Sequence, residues 1–267
     1  MDLGFADATA VVTGGSKGMG RAVAEVLAAD GARVAVMARG RDALDDAVNS
    51  LHALGSPDAV GISVDMTDSG SIASGFQEVG DRWGSLNVLV HTIGPGAGRF
   101  EQLDDAQWDD AFALGTMSAV RTVRSALPLL RAAEWARIAM FSAHSIQRQS
   151  PILVAYTASK AAVTSLAKNL AKSLAPEGIL VNAVCPGSIV TASFTENLRD
   201  IFAAEGLDPA DPHDVMTWID RTFHQPADLG RAGLPDEVAS LTAYLVSQRN
   251  GYVTGACVNA DGGSDFV

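Results

Sequence analysis

The chain has little that would mark it for a membrane, a nucleic acid or an oxidising compartment. No apolar run approaches the roughly 18 residues that a membrane-spanning helix needs. The opening stretch, MDLGFADATAVVTGG, carries no basic segment followed by a cleavage site, so no secretory signal is expected. Positive charge is scarce: 19 Lys and Arg stand against 31 Asp and Glu, a net charge of −12. With no basic cluster, neither nucleic acid nor an anionic membrane surface is an expected partner. The cysteines are two, Cys185 and Cys257, both in apolar strand-like stretches. Such thiols fit buried side chains in a reducing compartment, and the expected location is cytoplasmic. No metal site is expected.

What remains is an apolar chain with a regular rhythm. Hydrophobic residues make up 48% of 267 and charged residues 19%, enough to bury the core of one large α/β domain. Short apolar runs (ATAVVTGG, ARVAVMAR, DAVGISVDMTD, LNVLVHTIG, ARIAMFSAHS, ILVNAVCPGSIVT, CVNADGG) alternate with helical patterns such as MGRAVAEVLAADG. Gly31 is the expected C-cap of that first helix. Continuous apolar strands separated by helices predict a doubly wound parallel sheet with helices on both faces. One region breaks the rhythm. Residues 192–232 form a long connection rich in Phe194, Leu198, Ile201, Phe202, Val215, Met216, Trp218, Ile219 and Phe223, interrupted by DPADPHD. It reads as two short amphipathic helices and, at this length, as a lid over a substrate.

The stretch VVTGGSKGMG sets Gly14, Ser16, Lys17, Gly18, Met19 and Gly20 between the first strand and the first helix. Glycines there let backbone approach a pyrophosphate, and the helix N-terminus offers N–H donors. NAD sites carry Asp or Glu about 20 residues further on, to bind the ribose hydroxyl. This chain has Ala38, Arg39 and Arg41 instead. Guanidinium groups can bind a 2′-phosphate, and Lys17 can reach the same place, so NADP(H) is expected in preference to NAD(H). Asp65, followed by Met66, is placed either to accept from the adenine amine or to cap the next helix.

In YTASK, Tyr156 and Lys160 lie four residues apart among alanines, on one face of a helix. A free phenol near pKa 10 is a poor acid or base at neutral pH. A cation about 4 Å away, at an effective dielectric of 20, is worth about 4 kcal/mol, or roughly three pKa units toward phenolate. The pair is therefore expected to trade a proton with an alcohol or alkoxide, with Lys160 also holding the nicotinamide ribose.

Taken together, TGGSKGMG, VDMTD, YTASK, PGSIVT and VNADGG resemble the short-chain dehydrogenase/reductase family over nearly the whole chain. In motif the similarity leans toward the 3-oxoacyl-carrier-protein-reductase-like members. The resemblance implies a single-domain Rossmann fold, hydride transfer between NAD(P) and a carbonyl or alcohol, and catalysis by Tyr156 and Lys160. It also implies that Gly94 lies near the adenosine ribose, and that Pro186, Gly187, Ile189 and Thr191 lie beside the nicotinamide. A homotetramer is implied through the helix of Tyr156, whose Ala162, Ser165 and Ala167 are small enough for close packing.

Three positions depart from the family pattern. His91 stands for the first Asn of an NNAG motif, and a buried, hydrogen-bonded ring is expected there. Gly115 stands for an Asn that anchors a relay water, leaving room for extra water. Thirteen residues before Tyr156, where a substrate-polarising serine belongs, there is Ala143. In an extended segment Ala143 and Ser145 share a side, so Ser145 is the first substitute, Ser142 the second and His144 the third. The leading expectation is an NADP(H)-dependent oxidoreductase acting on a hydrophobic ketone or secondary alcohol. An NADP-binding regulator that has lost turnover, and a dehydratase or epimerase, are the other two.

Overall fold

A computed structural model describes residues 2–224 and 226–264. Seven parallel strands form one sheet in the order β3-β2-β1-β4-β5-β6-β7. They are β1 (Thr9–Thr13), β2 (Arg33–Ala38), β3 (Ala59–Ser63), β4 (Val88–His91), β5 (Ala136–Phe141), β6 (Ile179–Pro186) and β7 (Cys257–Ala260). The helices are α1 (Gly18–Ala29), α2 (Arg41–Ala53), α3 (Ser69–Trp83), α4 (Asp105–Phe112), α5 (Ser118–Ala132), α6 (Val154–Leu174), α7 (Ala192–Glu205), α8 (Pro212–Phe223) and α9 (Pro235–Val246). The doubly wound sheet expected from the alternating pattern is the one observed.

Side chains alternate across the sheet, and each face has its own core. Ala10, Val12, Val34 and Val36 pack with Val23, Leu27, Leu44, Val238 and Leu245 on one side. Val11, Ala35 and Met37 pack with Ile72, Phe76, Val123 and Val163 on the other. Burial on both faces is why the strands read as unbroken apolar runs. Because β2 and β4 flank β1 on opposite sides, the order in which strands are added to the sheet reverses between β1 and β4. A crevice opens at such a reversal. The register Thr13↔Met37 and Thr13↔His91 brings the glycine loop, the end of β2 and the end of β4 to that point.

One local expectation shifts. The C-cap of α1 is Asp30, and Gly31 follows it at φ +87°, taking the left-handed turn into β2. A π-helical turn, Ala113–Met117, joins α4 to α5. No helix of the described residues is long and apolar enough to cross a membrane.

The long connection is two helices, as its pattern suggested. Thr191 caps α7 by accepting from the Phe194 N–H, and Asp211 caps α8 by accepting from His213 N–H. The helices enclose a core of their own, with Phe202, Val215, Met216 and Ile219 buried. The Trp218 ring lies 5.4 Å from those of both Phe202 and Phe223.

Candidate active site

A cleft of about 650 Å³ opens over the C-terminal ends of β1, β2 and β4. Gly14, Ser16, Lys17, Gly18, Met19 and Gly20 form one wall, and Arg39, Asp65 and Met66 line the strand ends. Gly94 and Thr191 complete the opposite side. Thr92 and Ser193, which the motifs did not single out, also line it. The Thr92 hydroxyl donates to the Thr13 carbonyl at 2.7 Å, and a Cβ added at Gly20 would lie 2.8 Å from its oxygen. Gly14 sits at φ +74°, open to glycine without strain. No side chain caps the N-terminus of α1, so its first N–H groups are free for an anion. This cradle, which a Cβ would fill, fits the phosphates of a dinucleotide.

Lys17 and Arg39 are both exposed at the cleft, and among the described residues neither forms an ion pair. Asp65 does not cap α3; Asp68 does, accepting from the Gly70 N–H at 2.7 Å. The Asp65 carboxylate instead accepts from the Thr67 N–H and hydroxyl at 2.9 and 2.7 Å. These bonds hold it below the usual carboxylate range, and Arg39 adds to the effect.

Tyr156 and Lys160 occupy the first two turns of α6, beside Gly94. A Cβ at Gly94 would lie 2.9 Å from Lys160 Cε and 3.5 Å from Tyr156 Cε2. Lys160 Nζ is 5.9 Å from the centre of the Tyr156 ring, so the two side chains share a face. The ammonium donates to the carbonyls of Ile93 (2.7 Å) and Phe141 (2.6 Å), at the ends of β4 and β5. The phenol, however, is pushed up to about 12, where the sequence reading expected a fall. Burial is the cause. It strips water from the phenol, and it also pulls Lys160 down to about 7. A cation spent on two carbonyls and itself desolvated cannot outweigh that loss.

The serine reading rested on an extended segment, and the segment turns. Ala143 is extended, but His144–Ile146 is a 3₁₀ turn, so strand alternation stops at Ala143. Ser142 lies at the end of β5, where its hydroxyl donates to the Lys160 carbonyl (3.0 Å) and accepts from Thr164 (2.7 Å). Ser145 is buried against Thr157, whose hydroxyl lies 3.4 Å away. The His144 ring donates from Nδ1 to the Pro186 carbonyl at 3.1 Å. Sequence spacing alone could not have found this, because the turn depends on packing against α6 and β6.

Of the segment after β6, Thr191 reaches the cleft. Pro186 ends β6, and Gly187 packs on Asp261, where a Cβ would lie 2.7 Å from its Cα. Ile189 belongs to the core and pairs with Gly233, lining a separate cavity of about 350 Å³.

The room expected beside Gly115 is taken. A Cβ there would lie 2.8 Å from Ser159 Cβ and 3.0 Å from Pro95 Cδ. Gly115→Asn is therefore expected to overpack this site and lower stability by about 1–3 kcal/mol in denaturant melts. Adding Ser159→Gly should return most of the loss.

His91 is buried and bonded as expected, its Nδ1 2.9 Å from the Thr13 hydroxyl and Nε2 3.1 Å from that of Ser118. Burial, with Lys160 second, depresses its pKa from 6.5 to about 3. The unfolded chain binds this proton first as pH falls, so the stability contribution is whole above about 6.5 and is lost toward about 3. Acid titration of the unfolding free energy should show a slope of about 1.4 kcal/mol per pH unit from this one group, absent in His91→Asn.

A family model described as enoyl-(acyl carrier protein) reductase matches residues 14–265. The chain belongs to the short-chain dehydrogenase/reductase family. It is 35% identical over 258 residues to the monensin polyketide synthase putative ketoacyl reductase of Streptomyces virginiae, covering 95% of each chain. It is 30% identical to D-beta-hydroxybutyrate dehydrogenase of Rhizobium meliloti (strain 1021), covering 96% of this chain and 97% of the relative. The L-sorbose reductase of Gluconobacter frateurii, solved with NADPH and L-sorbose, superposes at a TM-score of 0.92 with 27% identity over 100% of both chains. As a short-chain dehydrogenase/reductase the protein is an NAD(P)-dependent oxidoreductase, which leaves the regulatory alternative without support.

Proposed function

We propose that this enzyme reduces a ketone to a secondary alcohol with NADPH. The observation that carries the proposal is the Tyr156–Lys160 pair packed on Gly94 at the edge of the glycine-loop cleft. When bound, the cofactor supplies the hydride. The chain's own residues do the rest. The α1 N-terminus and the glycine loop hold the pyrophosphate, with Lys17 and Arg39 set against the 2′-phosphate. Asp65 takes the adenine amine, and Lys160 holds the ribose. Tyr156 gives its proton to the oxygen that gains charge. Burial keeps the phenol in its protonated, donor form at neutral pH.

Ser145 is assigned to polarise the carbonyl, because the Ser142 hydroxyl already donates to the Lys160 backbone. Ser145→Ala is expected to lower kcat/KM by roughly 10²-fold with stability little changed. Ser142→Ala is expected to act mainly on stability. Equal and negligible kinetic losses would show that neither serine polarises the substrate.

The helices α7 and α8 serve as the substrate lid. Phe202, Val215, Met216 and Ile219 fill the lid's own core, Ile201 is exposed, and Phe194, Leu198, Trp218 and Phe223 are partly buried. Phe194, Leu198 and Trp218 are assigned to an apolar substituent on the substrate. Assembly as a homotetramer through α6 would use Ala162 and Ser165; Ala167 is buried in the subunit's own core and takes no part. The experiment is a panel of aliphatic, alicyclic and acyl-thioester ketones, followed by NADPH absorbance. Consumption matched mole for mole by alcohol supports the proposal. Product without loss of NADPH would favour a dehydratase or epimerase.

A further inference from the structure

Cys185 and Cys257 play no part in the chemistry above, yet their sulfurs lie 2.9 Å apart as free thiols. Cys185 is fully buried near the end of β6, and Cys257 is exposed at the start of β7, an edge strand. The register pairs Ala183 with Cys257 and Cys185 with Asn259, so both cysteines face the same side of the sheet. The contact is held from several sides. The Asn182 amide donates to the Val253 carbonyl and its oxygen accepts the Ala256 N–H, while Gly255 N–H bonds Val181 O. These bonds fix the chain entering β7. Cys185 lies on β6 beside β5, where Val184 is paired with Phe141.

We propose that Cys257 and Cys185 form a peroxide-sensitive thiol pair, Cys257 being oxidised first and Cys185 resolving it to a disulfide. An accessible sulfur beside a buried resolving sulfur is the arrangement this chemistry needs. Cys257 is the exposed member of the pair and Cys185 the buried one, and their contact favours the thiolate on Cys257 while burial disfavours it on Cys185, so the exposed sulfur is the nucleophile. Cys257 thiolate attacks hydrogen peroxide; an S–O bond forms, the O–O bond breaks and hydroxide leaves, becoming water with the thiol's proton. Cys185 sulfur then attacks Cys257 sulfur; an S–S bond forms, the S–O bond breaks, and the hydroxyl leaves as water with the Cys185 proton. Two thiols and one peroxide give one disulfide and two waters. Cys185 follows Val184, which pairs with Phe141, and the Phe141 carbonyl holds Lys160, so oxidation is expected to disturb the seat of the Tyr156–Lys160 pair.

The test treats the intact protein with hydrogen peroxide and reads mass. A fall of about 2 Da, with a Cys185–Cys257 cross-linked peptide that dithiothreitol removes, is the expected result. Cys185→Ser should stop at a sulfenic acid on Cys257 that dimedone traps. Cys257→Ser should keep its basal properties, form no cross-link, and leave Cys185 unreacted while folded. Should Cys185→Ser fail to fold, the wild type and Cys257→Ser decide the matter. No intramolecular cross-link in the wild type, or oxidation of Cys185 in folded Cys257→Ser at the wild-type rate, overturns the proposal. The loss of turnover on oxidation rests on the proposed function, but the mass readout does not. A cross-link in a protein that reduces no ketone would sink that function and leave the thiol pair standing.

Discussion

Tyr156→Phe is expected to lower kcat by roughly 10²–10⁴-fold while leaving the dissociation constant for NADPH within about twofold, as loss of a general acid does. The substitution removes one oxygen from a ring that is already mostly buried, and among the described residues no hydrogen bond to that oxygen is seen. The fold should therefore be indifferent to it, and the loss should sit in the chemical step. Two readouts are needed. Fluorescence titration gives cofactor affinity, and single-turnover NADPH oxidation gives the rate. A variant that kept wild-type turnover would mean that water or another side chain delivers the proton. Lys160→Met makes a useful contrast. Lys160 ties the ends of β4 and β5 through Ile93 and Phe141, so its loss should reduce stability and cofactor affinity as well as rate.

The second large effect concerns which dinucleotide is used. Arg39→Asp combined with Lys17→Ser is expected to lower kcat/KM with NADPH by roughly a hundredfold or more. The estimate takes about 1.5–3 kcal/mol for each charged hydrogen bond removed, plus repulsion from the new carboxylate. Activity with NADH should rise, because a carboxylate at the end of β2 can accept from the ribose hydroxyl. Both side chains are exposed, so stability should hardly move. Parallel KM and kcat measurements with the two cofactors check this. An unchanged ratio would place the 2′-phosphate elsewhere.

The positions legible in the sequence were those fixed by local rules. Gly14 and Gly20 were legible because the turn after β1 and the first turn of α1 leave no room for a side chain, and Tyr156 with Lys160 because helical spacing alone puts them on one face. Asp68 could have been preferred to Asp65 as the cap of α3, since it immediately precedes the helix. What failed depended on three-dimensional surroundings. The direction of the Tyr156 shift turned on how deeply the ring is buried, which no spacing reveals. The 3₁₀ turn at His144 ended the alternation on which the choice of Ser145 rested. Ser159 fills the space at Gly115, a contact between α6 and the π turn that spacing along the chain does not show. Residues 192–232 were legible as two helices, but not the ring contacts that join Phe194, Phe202, Trp218 and Phe223.

The central claim is that hydride passes between the nicotinamide and a carbonyl carbon while Tyr156 supplies the proton. It is tested most directly by running the ketone panel with NADPH deuterated at the transferable position and weighing the products. The account predicts an alcohol one deuterium heavier, labelled on the carbinol carbon, formed by the wild type and nearly absent with Tyr156→Phe. Unlabelled product, or labelled alcohol made equally fast by Tyr156→Phe, would contradict it.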